Sequence, residues 1–191
     1  VRSLPERERQ AQGPLKAYLG SLAGARPLVV ANAVRVAADV AARGRPDAPL
    51  ACYAVPAMSD RMRLPDAYPA DGAPFEPLRL VATPGEYEPA SFVVYPFADL
   101  GRVTFSVGDL ARAAGGTIPA AQLDLRVVKV WYQNGNGWIS YFMDTGLQLT
   151  PELLLHDEDL VRVDTAARAN HARVRNPDGT YRHHWITPPK T

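Results

Sequence analysis

From residue 78 onward the chain is built of short runs rich in β-branched and aromatic residues, and that pattern limits the fold more than any other feature. "LRLVA", "ASFVVYP", "VTFSVGDL", "LDLRVVKVWYQ" and "DLVRVD" each have strand length and composition. Turn signals at Pro84-Gly85, Gly115-Gly116 and Asn134-Gly135 separate them. "HARVRNPDGTYRHHWI" predicts a hairpin, with Asn176-Pro177-Asp178-Gly179 supplying proline at the second turn position and glycine after it. Within residues 123–132, Leu123, Leu125, Val127 and Trp131 make one face apolar, while Val128, Val130 and Tyr132 do the same for the other face near its end. A central strand covered on both sides is the expectation there. Short strands with regular turns predict a mainly β fold, an antiparallel β-sandwich over residues 78–187.

The chain before residue 78 has a different character. Residues 1–44 predict a helical N-terminal segment of two helices, the first interrupted by Gly13 and Pro14. In the second, Val29, Val30, Ala33, Val36, Ala37 and Val40 fall at helical spacing before Gly44 stops it. Residues 45–77 read as a proline-rich connector lying over a sheet, and residues 188–191 as the start of a linker. "LTPELLL" predicts a short helix, with Thr150 as N-cap and Pro151 in its first turn.

With 191 residues and 47% hydrophobic content, one good-sized domain, or one with an appendage, can bury a real core. The formal charge of +1 comes from 21 basic and 20 acidic residues spread along the chain, which argues against a nucleic-acid or anionic-membrane partner. Cys52 is the single cysteine, so the fold rests on packing instead of an intrachain disulfide, and its apolar setting predicts a buried thiol. No apolar stretch approaches the roughly 20 residues of a membrane helix. A start at Val1 fits a processed or truncated polypeptide, from which any export signal would have been lost before residue 1, and leaves localisation open.

Two clusters invite a chemical reading. Glu86 and Glu88 in "GEYEPASFVVYP" share a face if the segment is extended, and carboxylates roughly 5 to 9 Å apart are what glycoside hydrolysis uses. Set against that, a general acid needs a raised pKa from burial, and a strand-edge role beside Pro89 accounts for both residues. The second cluster is "VWYQNGNGWISYF", where Trp131, Tyr132, Trp138 and Tyr141 flank Gln133, Asn134 and Asn136. Aromatic faces beside amides suit a sugar, whose C–H face stacks while its hydroxyls hydrogen-bond; the competing role is packing in the core or at a domain interface. His183 and His184 are adjacent in an expected strand and point to opposite faces, so no metal site is expected from them. "HDED", carrying Asp157 and Asp159, lacks the spacing of a calcium loop and reads as a solvated turn. No nucleophile elbow, phosphate loop, dinucleotide fingerprint or zinc spacing occurs. No catalytic residue, metal or cofactor is therefore expected in this chain.

"MSDRMRLPDAYPADG", "GEYEPASFVVYPFADL", "IPAAQLDLRVVKVWYQ" and "LTPELLLHDEDLVRVD" resemble the N-terminal region of large, mostly secreted bacterial glycoside-hydrolase-like proteins related to glycoside hydrolase family 123. The resemblance spans about residues 50 to 187. It implies an N-terminal β-sandwich preceding a (β/α)-barrel, whose adjacent acidic pair performs substrate-assisted hydrolysis of an N-acetylhexosamine linkage. No residue of this chain matches that pair. The implied role is a non-catalytic accessory domain that packs on a catalytic domain of the same or a partner polypeptide, contacts polysaccharide, and is secreted or periplasmic. The alternative is a stand-alone carbohydrate-binding or assembly protein.

Overall fold

The computed structural model describes residues 3–111, 115–134 and 146–186. Among them are ten strands and three α-helices, arranged in small antiparallel sheets, so the chain is mainly β. It divides into two compact units, Val1–Val103 and Thr104–Thr191.

The first unit carries all three helices. α1 (Leu4–Gln10) and α2 (Gly13–Ser21) replace the single first helix expected from sequence. Gly13 at φ 50° and Pro14, which has no backbone donor, are sufficient to break the chain there. α1 opens with Ser3 N–H and Oγ–H donating to Glu6 Oε2 at 2.8 and 3.2 Å. α3 (Pro27–Ala42) buries Ala33, Val36, Ala37 and Val40, as its spacing predicts, with Val29 and Val30 half-buried.

Residues 45–77 are more than a connector. β1 (Leu50–Val55) is the middle strand of a sheet ordered β2 (Ala73–Pro74), β1, β3 (Ser91–Pro96). Ala51, Tyr53 and Val55 are buried alternately along it and join Leu15, Leu19, Leu22, Val36 and Val40 in one core, while Cys52 is half-buried. Each such Leu or Val contributes about 1.5–3 kcal/mol by leaving water. Proline at both flanks and apolar residues of both parities in "LACYAV" conceal this strand from a periodicity argument.

The second unit contains β4 (Leu110–Ala111) paired with β5 (Thr117–Ile118), the ribbon of β6 (Val127–Asn134) with β7 (Leu147–Leu155), and a sheet ordered β10 (Tyr181–Ile186), β9 (Ala169–Arg175), β8 (Val161–Asp164). The expected hairpin is β9–β10: Asn176 N–H donates to Thr180 O at 2.8 Å and Gly179 takes φ 86°.

Four expectations are corrected. Residues 150–155 belong to β7, because eight cross-strand pairings with β6 override the capping signals; Pro151 faces Val130 where the register shifts. β6 is one strand of a two-stranded ribbon, with Val127 and Val128 exposed, not a central strand. Residues 78–82 form no ladder, and of "VTFSVGDL" only Leu110 enters a strand. β-Propensity reports fit to a half-buried pleated surface, and Leu78, Leu80, Val103 and Val107 remain exposed without one.

Candidate functional site

The β6–β7 ribbon brings the aromatic cluster to a definite geometry. Trp131 pairs with Thr150, Tyr132 with Leu149 and Gln133 with Gln148, so alternation divides the candidates between two faces. Trp131, Gln133, Gln148 and Thr150, all half-buried, share one face. There the Trp131 indole N–H donates to Glu152 Oε2 at 3.0 Å, which fixes the ring edge.

Tyr132 lies on the opposite face and is buried. Its backbone exchanges two hydrogen bonds with the Asn170 side chain, its hydroxyl donates to Thr165 O at 3.4 Å, and the Arg168 guanidinium sits 5.8 Å from its ring centroid. Tyr132 is thus a packing residue that joins β6 to β9, on the face away from Trp131 and Gln133. Asn134 ends β6 opposite Leu147. Asn136, Trp138 and Tyr141 lie outside the described residues.

Glu86 and Glu88 precede β3 instead of lying within it. Glu86 Oε2 accepts from Thr83 N–H and Thr83 Oγ–H, both at 2.8 Å, closing the turn around Gly85. The Thr83 backbone bond, then its hydroxyl, hold the Glu86 carboxyl below the usual range, opposite to the shift a general acid needs. Glu88 lines a groove of about 340 Å³ with Asp71, Arg79 and Ser91. Asp71 Oδ2 is already held by Arg63 at 2.8 Å and Ser59 at 2.9 Å.

His183 and His184 are exposed on opposite faces of β10. Asp157 caps a 3-10 turn, Glu158–Leu160, by accepting from Asp159 N–H, and pairs with Arg173 at 2.5 Å. No group of three or more potential metal-binding side chains occurs among the described residues. No described helix is long and apolar enough to cross a membrane. Burial pushes the Cys52 thiol up, away from the reactive thiolate form.

The candidate face expected from sequence lacks Glu152, which falls within the expected helix after Thr150, and Gln148, which precedes it. The period-two spacing of Gln148, Thr150 and Glu152 is the signal that places them together once the segment is extended. No family model, curated protein or solved structure matches the chain.

Proposed function

We propose that this chain is a non-catalytic accessory domain of a polysaccharide-degrading glycoside hydrolase, contacting glycan through the Trp131 face of the β6–β7 ribbon. The observation that carries the reading is the Trp131–Glu152 hydrogen bond, which orients an indole in the row beside the Gln133–Gln148 pair. A sugar stacks its C–H face on such a ring and exchanges hydroxyl hydrogen bonds with the flanking amides and carboxylate.

Two further features support the accessory role. The resemblance to the N-terminal region of family 123-related proteins implies a sandwich domain ahead of a catalytic barrel. The exposed Leu110, Ile118, Leu125, Val127 and Val128 supply apolar surface suited to a neighbouring domain.

The test is affinity depletion of the full chain on a panel of polysaccharides, including N-acetylhexosamine polymers, alongside a hydrolysis assay on the same panel. The reading expects retention on at least one polymer without turnover. Turnover by the purified chain, or retention on none of the polymers, overturns it.

A further inference from the structure

The β8–β9–β10 sheet carries a second surface with different chemistry. Residues directly opposite in an antiparallel pair share a face, so the register puts Arg162 with His171 and Trp185, Arg173 with His183, and Arg175 with Tyr181 on one side. The Arg173 guanidinium lies 5.1 Å from the Tyr181 ring centroid, as a diagonal pair on one face must. The other side turns the buried Asn170 and Val161 toward Tyr132 and leaves Arg182 and His184 exposed at its β10 edge, so the side bearing Arg162, Arg173 and Arg175 is the outer one where the sheet meets β6.

That outer face is both cationic and aromatic. Tyr181 and Trp185 are 60% and 53% exposed, although large aromatics without a ligand are usually well covered. Arg173 is paired with Asp157, but Arg162 and Arg175 form no ion pair among the described residues. Asp164, at the edge of the face, accepts from the backbone N–H groups of Ala166 and Ala167 at 3.0 and 2.8 Å and also lies within electrostatic reach of Arg162 and His171, so Arg175 is the less compensated of the two arginines. With strands about 4.8 Å apart and i, i+2 side chains about 6.8 Å apart, the guanidiniums and rings form a spaced grid.

We infer that this outer face binds a carboxylate-bearing polysaccharide chain. The guanidinium fork of Arg162 or Arg175 matches a uronate carboxylate with two parallel N–H···O bonds, and Tyr181 and Trp185 stack on the intervening sugar rings. A dense phosphate chain fits less well. Nucleic-acid affinity draws on many neutralised phosphates, whereas here Asp157 and Asp164 interrupt the cationic array and the whole chain carries only +1. The inference rests on the glycan-binding reading and adds a ligand class and a second contact surface to it.

The test compares the full chain, the double variant Arg162→Ser/Arg175→Ser, and Trp131→Ala against polygalacturonate, a neutral polysaccharide and an oligouridylate. The expected result is salt-sensitive polygalacturonate binding, weakened about tenfold or more in the double variant, as loss of charge-assisted bonds requires. Trp131→Ala keeps that binding. Wild-type failure to bind polygalacturonate, or equal binding by the double variant, overturns the inference. So does oligouridylate binding that is tighter and lost in the same double variant. Loss of neutral-polysaccharide binding in Trp131→Ala is read separately and bears only on the β6–β7 face.

Discussion

Asn170 substitutes for a strand neighbour of Tyr132: its Oδ1 accepts from Tyr132 N–H at 2.9 Å and its Nδ2 donates to Tyr132 O at 2.7 Å. One side chain satisfies both backbone groups of a residue that no other ladder bond reaches from that side. At 7% exposure Asn170 is one of the few buried polar residues described. Asn170→Ala leaves a buried donor and acceptor unpaired, and each such group costs about 1–3 kcal/mol. The expected loss is roughly 2–4 kcal/mol in chemical denaturation. Asn170→Asp keeps the acceptor but sets an anion against Tyr132 O, so it does not restore stability.

Asp39 Oδ2 accepts from Tyr53 and Tyr68 hydroxyls, both at 2.9 Å, tying α3 to β1 and to the loop before β2. Tyr53→Phe removes a charge-assisted bond from a fully buried ring and is expected to cost about 1.5–3 kcal/mol. Burial, then the Asp39 bond, push Tyr68 up to about 12. A tyrosine whose folded pKa is raised stabilises the fold below the ordinary tyrosine range, near pH 10, and that contribution is lost as pH rises through about 12. Ultraviolet titration should therefore show a phenol ionising near 12 that moves part of the way back toward the ordinary range in Asp39→Ala, burial holding the remainder of the shift.

Gly72 and Gly108 should respond differently to the same methyl group. A Cβ at Gly72 meets Tyr53 Cβ and Val55 Cγ1 at 3.0 Å and the Pro69 carbonyl at 3.1 Å, and that carbonyl already accepts the Gly72 N–H. Gly72→Ala is expected to cost about 1–3 kcal/mol by overpacking against the centre of β1. A Cβ at Gly108 meets nothing within 4 Å, so Gly108→Ala should leave the melting temperature unchanged.

The Thr83–Glu86 turn should be acid-resistant. Because hydrogen bonds from Thr83 lower the Glu86 pKa, the turn's contribution is present above the ordinary glutamate range and disappears as pH falls through the depressed value. Carboxyl titration by nuclear magnetic resonance should place the Glu86 midpoint below that of an unperturbed glutamate. Thr83→Ala, which removes the hydroxyl donor and keeps the backbone donor, should move it part of the way back.

Local signals were legible where short-range chemistry decides structure. The helical spacing of Ala33, Val36, Ala37 and Val40, the Pro84-Gly85 turn and the Asn176–Gly179 hairpin all appear as read. Where long-range pairing decides, the sequence misled: Thr150-Pro151 carries a helix signature that β6 overrides, and "LACYAV" shows no alternation although Ala51, Tyr53 and Val55 are buried. The candidate face was half visible for the same reason. Trp131 and Gln133 stand out by type, but Tyr132 separates from them only through strand alternation and Asn170, a residue 38 positions away. Arg162, Arg173 and Arg175 drew no notice because whole-chain charge conceals a local array; three paired strands are needed to gather it.

The most direct test of the central claim is a paired measurement on Trp131→Ala, with glycan affinity by titration calorimetry and melting temperature on the same preparation. Its half-buried indole and single hydrogen bond to Glu152 predict a loss of about 1–3 kcal/mol of binding, roughly ten- to a hundredfold, with a melting temperature within a few degrees of wild type. Unchanged glycan affinity, or a collapse in melting temperature that accounts for the lost binding, would contradict the assignment of this face as a ligand platform.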